Sequence, residues 1–232
     1  MRNFEVLILA AGNGTRMKSK TPKLLNKIGK HTILDKSIRL ALSLDSKKVN
    51  VIINKDYQIF INKYKNVKFF HQNKILGTGH AVKSFYKNNK TIKNNLLIMM
   101  GDAPSIKKNS IRKVLSKLKK IPIVILGACI KKNKMHGMIE IKNDKIKQIK
   151  EYSFLKQKEK NNCICNTGIM GIQKKFLYLI NKIKKNKFKK EYLLTDIMSI
   201  SSKKKIKTSL VLANEGPLSF GINTIKELKL HN

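Results

Sequence analysis

The chain has 232 residues, and by surface scaling a chain of that size hides roughly 70–75% of its extended surface on folding, so neither disulfides nor a structural metal are needed to hold it together. Its formal charge of +38, from 51 basic and 13 acidic residues, invites a nucleic-acid reading, but only Arg2, Arg16, Arg39 and Arg112 are arginine and the lysines are scattered over every segment. Base readout and single-strand stacking favour arginine and exposed aromatic rings, so the expectation is a solvated lysine surface with no specific nucleic acid as partner.

Met1 to Ala11 has the outline of a signal sequence, with Arg2 before an apolar run, but Glu5 interrupts the run and it is too short to span a bilayer. Phe4 to Leu9 reads instead as a buried strand in a protein with no membrane partner. At its carboxyl end stands Leu9-Ala10-Ala11-Gly12-Asn13-Gly14-Thr15-Arg16-Met17, followed by Thr21-Pro22-Lys23. Gly12 and Gly14 leave backbone N–H groups open, a nest that suits polyphosphate oxygens. Arg16 offers a planar fork of donors and Lys23 a mobile point charge, the pairing needed where negative charge moves between phosphorus atoms. The spacing is neither G-x-G-x-x-G nor a P-loop ending in Gly-Lys-Ser/Thr. On these residues alone the loop reads equally as an ordinary strand-to-helix turn.

Thr32 to Leu44 places Ile33, Leu34, Ile38, Ala41 and Leu42 at helical spacing, with Thr32 as cap. Val49 to Ile53 is a short strand, Tyr57 to Tyr64 a helix and Val67 to Phe70 the next strand. This alternation implies a parallel sheet with right-handed crossovers, whose ligands sit at the carboxyl ends of strands. Gln72-Asn73-Lys74-Ile75-Leu76-Gly77-Thr78-Gly79-His80-Ala81 closes the third strand and opens a helix through Phe85. The Gln72 amide can pair its donor and acceptor with the edge of a uracil ring, and Gly77 and Thr78 offer a close backbone and a hydroxyl. The same stretch also reads as a helix start capped by Thr78, with His80 packing the helix. Leu96 to Met100 is an apolar strand ending in Gly101-Asp102, where the carboxylate is positioned either to hold Mg2+ with hard oxygen ligation or to cap a loop.

Lys107 to Lys119 forms an amphipathic helix and Ile121 to Ile130 a central strand. His136 to Ile141 and Ile146 to Tyr152 then form a hairpin with Asn143-Asp144 at its turn. Glu151, just after it, can accept from sugar hydroxyls or stand as a surface charge. Ser153 to Asn162 is expected to be a flexible insertion, and Asn166-Thr167-Gly168-Ile169 to open a strand. Phe176 to Ile183 reads as a helix and Lys207 to Ala213 as the last strand. The three cysteines, Cys129, Cys163 and Cys165, show no C-x-x-C or Cys/His ligand spacing, which suits reduced thiols in a cytoplasmic protein.

LAAGNGTRM followed by P-K resembles the signature loop of the sugar-nucleotide pyrophosphorylases, nucleotidyltransferases that join a nucleoside triphosphate to a sugar 1-phosphate. The double alanine before Gly12 differs from the molybdopterin-guanylyl relatives, which usually show two glycines there. Q-x-x-x-x-G-T-G-H-A is similar, nearly letter for letter, to the uracil-reading segment of the uridylyltransferase domain of the bacterial bifunctional N-acetylglucosamine-1-phosphate uridylyltransferases. The resemblance runs from Leu9 to Asn223. It implies an α/β chain with a Rossmann-like mixed, mainly parallel sheet flanked by helices, the nucleotide-diphospho-sugar transferase fold. Residues 1–232 would form one domain, about 1–130 serving the nucleotide and about 131–232 the sugar.

By the same resemblance Leu9, Ala10, Ala11 and Gly12, with Lys23, Gln72, Gly77 and Thr78, hold the nucleotide. Arg16, Lys23 and Asp102 serve the reaction, and Asp102 and Asn223 hold Mg2+. Met100, Gly101, Gly137, Glu151, Asn166 and Thr195 face the sugar, and Glu191 to Asp196, which resembles the family's E-Y-x-x-T-D helix, forms a wall of the pocket. Three positions depart from the pattern. Met100 replaces an aromatic residue, the stretch after Glu151 lacks a second acid, and Thr224-Ile225 replaces a polar pair after Asn223. The implied reaction is uridylyl transfer from UTP to N-acetylglucosamine 1-phosphate; a different sugar 1-phosphate, or a non-catalytic nucleotide-binding module, are the alternatives. No hexapeptide repeat of the left-handed β-helix acetyltransferase is present, so any acetyl transfer is expected from a separate acetyltransferase partner.

Overall fold

The structure is a computed structural model and describes residues 3–231 except 18, 90, 91, 133 and 134. Strand β1 (Phe4–Ala10) is its axis: Val6, Leu7 and Ile8 are fully buried. The continuous apolar run from Val6 to Ala10 is what a parallel sheet covered on both faces requires. The pleat sends alternate residues to opposite sides. Val6, Ile8 and Ala10 join one apolar cluster with helices α1 (Ile33–Leu42) and α4 (Lys108–Leu118). Leu7, Leu9 and Ala11 join another with α3 (Thr78–Asn88) and α5 (Asp196–Lys203). Glu5, the acid inside this strand, is buried, and its carboxylate accepts from Asn50 Nδ2 (3.4 Å) and Asn94 Nδ2 (3.0 Å).

Among the described residues the main sheet has nine strands. β4 (Val49–Ile53) and β6 (Asn95–Met100) flank β1 in parallel, and β5 (Lys68–His71) extends the β4 edge. Beyond β6 the long β10 (Asn161–Ile172) runs antiparallel, then β7 (Ile123–Lys132) and, parallel to it, β11 (Thr208–Leu212). The hairpin β8 (Met138–Lys142) and β9 (Lys145–Lys150) hangs off β10 through the Cys165–Met138 pair. A mixed, mainly parallel sheet flanked by helices is the expected architecture. The short strands β2 (Lys27–Ile28) and β3 (His31–Thr32) pair apart from it. The three cysteines are free thiols, and no helix among the described residues is long and apolar enough to cross a membrane.

Helix α1 begins as its sequence requires. Thr32 Oγ1 accepts from Asp35 N and Asp35 returns a bond to Thr32 N, both at 3.1 Å, a reciprocal capping box. Asp35 also accepts from Lys63 (2.8 Å) and from the Tyr64 hydroxyl (2.7 Å). Burial by itself would raise this carboxyl; the bonds from Lys63, Tyr64 and Thr32 overcome it and hold the pKa at about 2.

Five expectations need correction. The helix over 57–64 is divided into a 3-10 turn (Lys55–Tyr57) and the short α2 (Ile59–Lys63), because the Asn54 side chain caps Asp56 N at 2.9 Å. The helix over 176–183 is a 3-10 helix (Lys174–Lys182) that buries Leu177, Leu179 and Ile180. The stretch 153–162 holds two 3-10 turns (Tyr152–Phe154 and Gln157–Lys160), with Glu159 bonded to Lys150 at 2.7 Å. Asn166 does not open a strand but lies inside β10, at an irregularity against β7. Residues 191–195 precede α5 without forming a helix. Their polar groups bond to α3 instead, as described below.

Candidate active site

The carboxyl ends of β1 and β6 open into a cavity of about 590 Å³. Leu9, Ala10, Ala11 and Gly12 line it on the β1 side, and nothing lies within 4 Å of a Cβ added at Gly12, so that backbone is open. Gly14 has a different reason to be glycine. Its φ is +62°, and an added Cβ would overlap the stem of Lys23. Lys23 passes through that space and is only 8% exposed. Its Nζ donates to Asp102 Oδ2 (2.5 Å) and to Asn223 Oδ1 (3.0 Å). Arg16 lines the same cavity from a 3-10 turn (Thr15–Met17), its Nη1 4.0 Å from Met135 Sδ.

The chain brings Asp102 and Asn223 together from 121 positions apart by docking the later segment directly on the earlier. Ile222 N donates to Asp102 O at 2.9 Å, and an added Cβ at Gly221 would stand 2.5 Å from the Asp102 carboxylate. Asn223 Nδ2 donates to Gly221 O at 2.9 Å, which turns Oδ1 toward Lys23. Thr224 then caps the last helix, α6 (Ile225–Lys229), in a second capping box with Glu227, so its departure from the family pattern has a structural use. Two hard oxygens thus converge on one cation, here the Lys23 ammonium. Among the described residues no cluster of three or more His, Cys, Asp or Glu exists. A divalent cation on this pair would complete its shell with phosphate and water, the habit of Mg2+. The donor set fits.

On the β5 side, Gln72 follows the strand directly, is 7% exposed, and has Nε2 3.0 Å from His80 Nδ1. Gly77 has φ +96°, and an added Cβ would lie 2.6 Å from Tyr192 O. Tyr192 N donates to Leu76 O and Gly79 N to Tyr192 O, both at 2.8 Å. Thr78 is not the helix cap. That position is Gly77, and the Thr78 hydroxyl accepts instead from Leu194 N at 3.2 Å, while Thr78 lines the cavity. These bonds explain why residues 191–195 are not helical.

A further wall is built around Glu151, next after β9. Its carboxylate accepts from Thr195 Oγ1 (3.0 Å) and Lys189 Nζ (3.1 Å), and all three line the cavity, as does Met100. Met100 rests over Gly168, whose φ of +88° leaves room that any side chain would fill. Gly137 and Asn166 are brought together, with Asn166 N donating to Gly137 O at 2.9 Å, but neither lines the cavity. Gly101 also lies behind the wall, bonded through N to Leu9 O and accepting at O from Ser37 Oγ. Lys189 is the side chain the sequence reading missed: it stands in a run of lysines with nothing to distinguish it. Asp196 behind this wall has its carboxyl pushed up, by burial first and then by the charge of Glu151.

The class follows from the fold and this cavity. A structure described as a glucose-1-phosphate thymidylyltransferase from Bacillus anthracis shares the fold with TM-score 0.77 over 99% of this chain and 94% of its own, at 21% identity. A 4-diphosphocytidyl-2C-methyl-D-erythritol synthase from Anaerococcus prevotii shares it with TM-score 0.69 at 15% identity, over 100% and 97%. Both have the nucleotide-diphospho-sugar transferase fold. Residues 6–161 match the MobA-like NTP transferase domain, and the chain belongs to that nucleotidyltransferase family. It is 39% identical to the bifunctional protein GlmU of Buchnera aphidicola subsp. Baizongia pistaciae over 97% of this chain and 51% of that protein. The GlmU of Wolbachia pipientis wMel is 33% identical, with 96% and 52% covered. The chain thus spans about half the length of the curated relatives it matches.

Proposed function

We propose that this chain transfers uridylyl from UTP to N-acetylglucosamine 1-phosphate, giving UDP-N-acetylglucosamine and pyrophosphate. The observation that carries the reading is that one cavity is lined by three sets of groups: Gln72, Gly77 and Thr78; Lys23 and Asp102; and Glu151 with Thr195. A base, a triphosphate and a sugar call for those three sets. The resemblance of GlmU supports the choice of base and sugar.

In this reading an oxygen of the sugar phosphate attacks the α-phosphorus in line, the new P–O bond forms, and the bond to the β-phosphate breaks with its electron pair leaving on pyrophosphate. The attacking phosphate is already ionised, so no residue need remove a proton. Mg2+, held by Asp102 and Asn223, would neutralise charge on the reacting phosphates. Lys23 has only to leave those two oxygens to meet a phosphate, and Arg16 with the open amides of residues 11–13 stabilises charge on the departing pyrophosphate. Glu151 accepts from sugar hydroxyls, with Lys189 and Thr195 fixing its two oxygens.

A panel of UTP, CTP, dTTP, ATP and GTP against several sugar 1-phosphates, scored by pyrophosphate release, tests the assignment. Release is expected to be fastest with UTP and N-acetylglucosamine 1-phosphate. A faster pair would replace the assignment, and no release with any pair would leave a binding module.

A further inference from the structure

We propose that His80 is a positioning residue for base choice: by accepting a hydrogen bond from Gln72 it holds that amide in the orientation that reads uracil rather than cytosine. The inference rests on the uridylyl reading above. An amide presents a donor at one end and an acceptor at the other, and the two flips differ only in which is which. Uracil offers an N3–H donor beside a carbonyl, cytosine an N3 acceptor beside an amino group, so one flip suits each base. A freely turning Gln72 would accept both. Something must lock it, and its 3.0 Å neighbour is His80 Nδ1.

The lock works in one protonation state only. A bare Nδ1 can only accept, so it takes an N–H of Nε2 and fixes Oε1 on the other side. A protonated Nδ1 can only donate, so the amide would turn over to offer Oε1. The surroundings favour the neutral ring, and the proposed lock is its tautomer with the proton on Nε2. Partial burial lowers its pKa, and so do the ammonium groups of Lys83, one turn further along α3, and Lys74, in the loop after Gln72. From the segment preceding α5, the Tyr192 ring packs against His80 at 5.8 Å, tilted by 41°, with Lys83 Nζ over the ring, 5.5 Å from its centroid, and Glu191 in the cavity wall. The GTG backbone next to His80 is bonded to Tyr192, so the imidazole has a fixed seat.

The test is the ratio of kcat/KM for UTP over CTP, in which titration of the triphosphate itself cancels. For the unaltered protein the ratio is expected to be at least about tenfold and flat from pH 8 down to the ordinary imidazole value of about 6.5, then to fall. His80→Lys, a donor only, is expected to bring the ratio to about one or below, with the loss carried in KM for UTP. His80→Glu, an acceptor only, is expected to keep the preference and lose its fall at low pH. A helix-packing role alone would not separate these two variants. A preference that survives His80→Lys would overturn the inference alone. Equal use of UTP and CTP by the unaltered protein would sink the uridylyl reading and this inference with it.

Discussion

The nucleotide side of the cavity and the wall around Glu151 are built by different means. On the nucleotide side Gly14 and Gly77 adopt φ values closed to most side chains, Gln72 stands directly after β5 and Asp102 two residues after β6, and long-range bonds such as Lys23–Asn223 and Thr78–Leu194 join these local devices. Glu151 is held by Lys189 and Thr195, which stand 38 and 44 residues further along the chain, and the expected Gly137 and Asn166 lie behind the wall. The first side adds backbone stereochemistry to long-range bonds; the second rests on long-range packing of a hairpin, a turn and a segment without regular structure. Substitutions on the two sides should therefore fail differently.

The largest effect is expected from Asp102→Asn, which keeps shape but removes the charge that the cation pairs with. Turnover should fall by roughly 10²-fold or more, the scale for one preorganised electrostatic element. Near-normal turnover at saturating Mg2+ would take Asp102 out of the site. Lys23→Met sharpens the point in a second way. With the ammonium gone from between Asp102 and Asn223, the protein free of substrates should bind Mg2+ or Mn2+ more tightly by calorimetric titration, even as turnover drops. Unchanged or weaker cation binding would mean that Lys23 does not stand in a cation site.

Around Glu151, Lys189→Met and Glu151→Gln should each raise KM for the sugar phosphate by about tenfold while leaving KM for UTP nearly unchanged, the signature of a lost ground-state contact. An equal rise in both constants would erase the distinction between the two sides.

How much of this could be read beforehand follows the same division. The α1 capping box, the Asn143-Asp144 hairpin turn with φ of +49° and +56°, and the run of β1 into its glycine loop are all local patterns, and each lies where its residues predict. The Lys23–Asn223 bond joins residues 200 positions apart; spacing could not supply it, and only the family resemblance pointed to Asn223. Lys189 was invisible for a compositional reason, since in a lysine-rich chain one more lysine carries no signal. The family resemblance implies a helix over residues 191–196, but Tyr192 and Leu194 bond to Leu76, Thr78 and Gly79 at the start of α3 and Thr195 to Glu151, so tertiary bonds keep residues 191–195 out of a helix. Asn161 to Asn166 joins β10 because β7 offers it a long partner edge and because Cys163 and Cys165 bury themselves in a small apolar cluster with Ala128 and Phe220.

A smaller effect concerns stability rather than the site. The Asp35 carboxyl has a folded-state pKa of about 2, below the ordinary value of about 3.9. A lowered carboxyl contributes stability that is fully present above the unfolded value and is lost as pH falls toward the folded one. Because Lys63 is 48% exposed and its charge screened, the contribution should be about 1–2 kcal/mol, short of the full linkage value. In urea unfolding, the gap between the wild-type protein and Asp35→Asn should close between pH 5 and pH 2. A gap independent of pH would assign the stability to packing instead.

The most direct measurement is phosphorus NMR on the protein with UTP, N-acetylglucosamine 1-phosphate and Mg2+. Uridylyl transfer predicts that the sugar-phosphate resonance is replaced by the coupled pair of a sugar nucleotide, with pyrophosphate appearing in equal amount, and that added pyrophosphate drives the signals back. Persistence of both substrates, or breakdown of UTP without the coupled pair, would contradict it.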